Sequence, residues 1–159
     1  MEFTVRAIEP EDRSWVLGLV RTWGADFVVS RGRKVFAAEL PGFIAFKPDG
    51  DRVGLVTYEI IADRCEIVTL DALEKFSGIG SVLTEKVIEA AGSAGCKRLW
   101  LITTNDNLDA IRFYQRRGFS LAAVHINTLA NSRKLKPSIP EIGCYGIPLR
   151  DEIEFEMLL

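Results

Sequence analysis

Apolar positions recur along this chain with two different periods, and the changes between them divide it into elements. Residues 3–8 alternate as a strand, after which Pro10-Glu11-Asp12 opens a helix to about residue 23. The stripe of that helix is Trp15, Val16, Leu19, Val20 and Trp23. Residues 43–46 and 53–60 read as a hairpin around Lys47-Pro48-Asp49-Gly50-Asp51-Arg52, a turn by its Pro, Asp and Gly content. A short turn at Ala62-Asp63-Arg64 leads to residues 65–73, which are rich in β-branched side chains and alternate only partly, as a strand buried on both faces does. Helical spacing then takes over at Ile79, Val82, Leu83, Val87, Ala90 and Ala91, with Glu85, Lys86 and Glu89 on the other side. A second buried strand begins at Leu99 and runs into an Asn-rich turn. The helix that follows has Asn107 as its natural N-cap and Gly118 where a left-handed C-terminal residue is expected. Residues 121–125 and 153–159 supply the last two strands.

Two stretches have no clear period. Residues 24–34 are irregular, and their Arg31-Gly32-Arg33-Lys34 cluster reads as a solvated turn, with contact to an acidic group as the alternative. Residues 127–152 hold Pro137, Pro140, Gly143, Gly146 and Pro148. A connection of that length usually covers a site or binds something, and this one is expected to shape a substrate pocket. The order of elements predicts a mixed α/β sandwich around a central sheet, in one domain spanning residues 1–159.

Composition narrows the function. With 159 residues and 48% hydrophobic content the chain can bury a core of ordinary size, and a net charge of −2 does not support binding to nucleic acid. No apolar run approaches the roughly eighteen residues of a membrane span, and a cytoplasmic location is expected. Cys65, Cys96 and Cys144 are scattered, with His125 the single histidine. Reduced, mostly buried thiols and no metal site are the expectation.

The candidate chemistry starts at Lys75-Phe76-Ser77-Gly78-Ile79-Gly80-Ser81, between a strand and a helix. Gly78 and Gly80 let the backbone come close to a ligand, and the first N–H groups of the helix have no internal partner, so the loop suits an anionic oxygen. A P-loop would need Gly-Lys-Ser/Thr, whereas Gly80 is followed by Ser81 and Val82. A dinucleotide fingerprint would need glycine where Leu83 stands. The spacing instead resembles the acetyl-CoA loop of the GCN5-related N-acetyltransferase (GNAT) superfamily, with Lys75 where that family usually has Arg or Gln. A second block, Asn107-x-x-Ala110-x-x-Phe113-Tyr114-x-x-x-Gly118-Phe119, is similar to the family's other signature. Two motifs in the right order, about thirty residues apart, are far more specific than either alone.

The resemblance implies a GNAT-type fold: a central, mostly antiparallel twisted sheet with a splayed parallel strand pair, flanked by helices. It implies an N-acetyltransferase that uses acetyl-CoA as co-substrate and no metal. Backbone groups of Leu70, Asp71 and Ala72 would meet the pantetheine arm and the acetyl oxygen. Phe76 to Ser81 (Phe76, Ser77, Gly78, Ile79, Gly80, Ser81) would meet the pyrophosphate, with Lys75 adding charge. Asn107, Ala110 and Phe113 would complete the coenzyme site, and Tyr114 would protonate the leaving sulfur. Plainer readings stand beside these, Asn107 as a helix cap and Phe113 and Tyr114 as packing. Glu66 is the candidate general base, with Asp71, Glu59, a water chain or His125 as alternatives. Asp26, Asp151 and Glu152 could attract a cationic amine, although each also reads as solvated surface. The acceptor would be a small-molecule or peptide amine, and the closing strand and its lead-in would suit a homodimer contact. A non-catalytic acyl-CoA sensor with the same fold is the competing reading, and Tyr114 speaks against it.

Overall fold

The structure, a computed structural model, describes residues 2–74 and 77–159. Lys75 and Phe76, two of the expected coenzyme contacts, lie outside the described residues. Strands β1 (Thr4–Ala7), β4 (Gly42–Phe46), β5 (Arg52–Ile61), β6 (Arg64–Ala72), β7 (Arg98–Thr104), β8 (Ser120–His125) and β9 (Glu152–Leu158) form one seven-stranded sheet, and β2 (Val28–Ser30) and β3 (Arg33–Val35) form a separate hairpin. The order across the main sheet is β1-β4-β5-β6-β7-β9-β8. Its pairs are antiparallel except β6–β7, which run parallel. This is the expected mixed fold.

Helices α2 (Ile79–Ser93) and α3 (Leu108–Arg116) cover one face of the sheet, where Ile67, Leu83, Val87, Leu99, Leu101 and Phe155 form the larger core. Full burial of a side chain such as Leu83 contributes about 2 kcal/mol. Helix α1 (Arg13–Arg21) packs Val16 and Val20 on the other face, against Ile44 and Leu55. The stripe read for this helix is the stripe it buries.

Strand β6 explains its own broken alternation. Tyr58 pairs with Ile67 and Thr57 with Thr69, so Val68 is an extra residue, a β-bulge. The insertion shifts the parity: Cys65 and Ile67 join the α2 side before it, and Leu70 and Ala72 join that same side after it. Val68 turns towards α1.

Two connections contain structure that periodicity did not reveal. The hairpin β2–β3 lies inside residues 24–34, and helix α4 (Leu129–Leu135) lies inside residues 127–152. The long connection is tied down by the Asn-rich turn: Asn105 Oδ1 accepts from the N–H groups of Arg150 and Asp151, and Asp106 accepts from the Cys144 N–H at 2.8 Å. Ser138 donates to the Gly24 carbonyl at 3.2 Å, which links this connection to the segment leading into β2. The thiols are mostly buried, as expected: Cys65 and Cys96 are buried, while Cys144, on the outer loop, is exposed. Strand β9 pairs on both sides, so its edges are satisfied within the sheet.

Candidate functional site

The ladder between β6 and β7 covers only Arg64–Ile67 against Arg98–Leu101. Beyond it, among the described residues, β6 continues with β5 alone: Leu70, Asp71 and Ala72 pair with Val56, Leu55 and Gly54. β7 meanwhile stays with β9 to Thr104. The two parallel strands diverge right after the Val68 bulge, and a gap opens between them. The twist added by a bulge contributes to such a divergence.

Helix α2 starts at one side of this gap. Gly78, at φ 86, is its left-handed N-cap, a conformation that favours glycine. A Cβ on Gly80 would meet the ring of Phe113 at 3.4 Å, so this helix start and α3 come close together. Gly54 on β5 makes the approach possible from below, because a Cβ there would lie 2.5 Å from Ile79 Cγ2. The Val82 N–H bonds back to Gly78 and the Thr84 hydroxyl to Gly80. The amides of Ile79, Gly80 and Ser81 precede the first complete helical turn, and they and the positive end of the dipole fit a phosphate. Lys47 and Glu74 pair at the margin of the loop.

Helix α3 supplies the second part. Asn107 caps it, its Oδ1 accepting from the Ala110 N–H at 3.2 Å. Tyr114 is buried among Phe113, Phe119 and Phe155, with centroids 5.2, 5.4 and 6.2 Å away. Among the described residues none forms a hydrogen bond with its hydroxyl. Burial pushes the phenol well above its usual pKa, so it holds its proton at neutral pH.

Glu66 lies on the opposite face. Its neighbours Cys65 and Ile67 point to the α2 side, so alternation turns Glu66 towards the β2–β3 hairpin. It is 3% exposed, and Oε2 accepts from the Ser30 hydroxyl at 2.6 Å. The Arg33 guanidinium bonds Glu59 at 2.6 Å and approaches Glu66 Oε1 at 3.5 Å with the same nitrogen. Burial raises the pKa of Glu66, the Ser30 bond and Arg33 oppose that, and Glu59 and Glu152 reinforce it, with a net upward shift. A cavity of about 290 Å³ opens here, lined by Ser30, Arg33, Glu59, Glu66 and Trp100 among others. A larger groove of about 630 Å³ between α1 and residues 36–39 is lined by Asp26 but by none of the expected coenzyme or catalytic residues.

Several sequence readings change. The Arg31–Arg33 turn is not merely solvated: Arg33 bridges two carboxylates, and Arg31 reaches Glu152 through both its N–H, at 3.1 Å, and its guanidinium, at 3.2 Å. Glu152 is 2% exposed rather than surface, and Asp151 is buried as well. Asp26 is exposed and paired with Arg21. His125 bonds Glu154 at 2.9 Å, and Glu154 also accepts from Arg98, so the imidazole belongs to a network on β7, β8 and β9. Ser30 carried no signal, because it sits in no motif, and Glu152 was read for its charge and not for its grip on Arg31. Among the described residues no group of three or more His, Cys, Asp or Glu side chains is arranged to hold a metal ion, and no helix is long and apolar enough to cross a membrane.

Comparison with known proteins agrees with this geometry. The Bacillus subtilis (strain 168) uncharacterized protein YdhI is 45% identical over 139 residues, 86% of each chain. The streptothricin acetyltransferase of Streptomyces lavendulae is 34% identical over 86 residues, 52% of this chain and 46% of that one. Among solved structures, a Bacillus subtilis acetyltransferase in complex with CoA superposes with a TM-score of 0.72 at 19% identity, covering 99% of both chains. Residues 11–119 match the model of the acetyltransferase (GNAT) family. On the strength of that match, which spans more than half of the sequence, this chain belongs to the GNAT acetyltransferases.

Proposed function

We propose that the protein transfers the acetyl group of acetyl-CoA to a primary amine on a small molecule or peptide, by direct attack while both substrates are bound. The observation that carries this reading is the gap between β6 and β7, with Tyr114 on one face of the sheet and Glu66 on the other. Two substrates that approach from opposite faces can meet only where the sheet is open. The CoA-bound relative supports the choice of coenzyme, and the relative named for streptothricin supports a small acceptor.

Each step has a residue suited to it. The amides at the start of α2 receive the diphosphate, and the backbone of Leu70 to Ala72 receives the pantetheine arm. An alkylammonium has no lone pair, so Glu66 accepts its proton before attack; a raised pKa brings a carboxylate closer to this task. As the carbonyl oxygen gains charge, a backbone N–H of β6 at the gap stabilises it. Tyr114, kept protonated by burial, gives its proton to the departing sulfur. A phenol at that point has a use in catalysis and none in a sensor.

Two measurements test the reading. Calorimetry should show acetyl-CoA binding, and a free-thiol assay across a panel of amines should show CoA release that depends on the amine. Absence of coenzyme binding would end the proposal.

A further inference from the structure

The tip of the β2–β3 hairpin is held at two points on different strands of the main sheet. Ser30 donates to Glu66 on β6, and Arg31 is gripped through its N–H and its guanidinium by Glu152 on β9. Strand β7 runs between them. Ser30 pairs with Arg33, and the two residues between them have φ of 50 and 75, the two-residue turn that matches hairpin twist. Gly32 adopts this readily, whereas Arg31 pays a conformational cost that the double grip of Glu152 offsets. The Ser30 hydroxyl is thereby delivered to one place.

That placement makes the two oxygens of Glu66 unequal. Oε2 takes a full hydrogen bond at 2.6 Å, while among the described residues Oε1 has only the 3.5 Å approach of an Arg33 nitrogen already committed to Glu59 at 2.6 Å. Glu66 and Ser30 both line the 290 Å³ cavity. We propose that Ser30 is a positioning residue of the acceptor site: its hydroxyl fixes Oε2 of Glu66 so that Oε1 receives the proton of the incoming ammonium. This rests on the reading of Glu66 as general base. In the step an N–H bond of the ammonium breaks and an O–H bond forms at Oε1, while no covalent bond to Ser30 changes.

The groups around Glu66 give the sign of the effect. Ser30 on β2 and Arg33 on β3 favour the carboxylate, and Glu59 on β5 and Glu152 on β9 disfavour it. Arg31 in the turn is spent on Glu152, and Arg64, at the start of β6, lines the same cavity. Without the Ser30 hydroxyl the balance moves towards the neutral acid, so the active form of the base is lost at a higher pH.

The test is the pH profile of kcat/KM for an amine found active in the thiol assay, measured for wild type, Ser30→Ala, Ser30→Cys and Ser30→Thr. Ser30→Ala should lower kcat about tenfold or more, and should move the acidic limb of the profile upward, with acetyl-CoA affinity unchanged. Ser30→Cys, similar in size but a weak donor, should resemble Ser30→Ala, and Ser30→Thr should restore the limb. These variants keep the test decisive if Ser30→Ala disturbs folding, since a merely structural role would change the melting temperature without displacing the limb. An acidic limb that superposes on wild type in both Ser30→Ala and Ser30→Cys overturns this inference alone. A wild-type protein that acetylates no amine removes the functional reading and this inference together.

Discussion

In the proposed mechanism Tyr114 joins two roles in one side chain. Its ring closes the aromatic group formed with Phe113, Phe119 and Phe155, while its hydroxyl has no bonding partner among the described residues. Removing the hydroxyl alone separates the roles, because Phe keeps the ring packing. Tyr114→Phe should lower kcat about 100-fold and change acetyl-CoA affinity by less than about twofold; comparing turnover with calorimetric affinity checks both. Unchanged turnover would leave Tyr114 as packing only. The residues legible in the sequence were those that act within their own motif: Asn107 caps the helix three residues ahead of Ala110, and Gly78 starts the helix it precedes. The contacts of Ser30 and Glu152 were not legible for a physical reason. Their partners stand 36 and 121 positions away, and no local period records such a meeting.

At the scale of elements, the long strands and helices declared themselves through many repeated positions. β2 and β3, with three residues each, are too short to show a period, and α4, with seven, has few apolar positions to display one. The Val68 bulge was visible only as imperfect alternation, which full burial on both faces would also produce. Close packing between elements was equally hidden, and Gly54 is the clearest case. It lies near the start of a strand, yet the start of α2 rests on it, with Ile79 Cγ2 and Leu83 Cδ1 where a Cβ would bring contacts of 2.5 and 3.0 Å. Gly54→Ala should therefore push the start of α2, the proposed diphosphate site, outward as well as strain the core. The expected cost is about 1–3 kcal/mol of stability together with weaker acetyl-CoA binding, read by thermal melting and calorimetry on the same sample. A variant that melts earlier but binds normally would show that the loop does not depend on this contact.

Across the whole molecule, the sheet separates two chemistries, an aromatic and apolar side under α2 and α3 and a charged side under the β2–β3 hairpin. The fold class and the order of the two motifs along the chain were readable in advance, whereas the partition of charges between the faces required the register. The α1 face is braced near the N-terminus by Asp12, fully buried and paired with Arg6 at 2.6 Å and Arg52 at 2.9 Å. The bond from Arg6, then that from Arg52, holds this carboxyl well below the usual range against the cost of burial. A depressed folded-state pKa adds stability above the unfolded-state value and loses it as the pH falls. Asp12→Ala should cost about 2 kcal/mol at pH 7, less than a fully buried pair because both guanidiniums reach solvent. The deficit in melting temperature relative to wild type should shrink below about pH 4; a deficit that stays constant with pH would point to packing instead. The position of β9 carries a consequence for how the molecule is made. Because residues 152–158 fill the slot between β7 and β8, a growing chain holds both strands with exposed amide edges until those residues emerge. Phe155 packs on Tyr114 from that strand, so the aromatic half of the site cannot close before β9 has been made, and until then the unpaired edges of β7 and β8 are open to wrong partners.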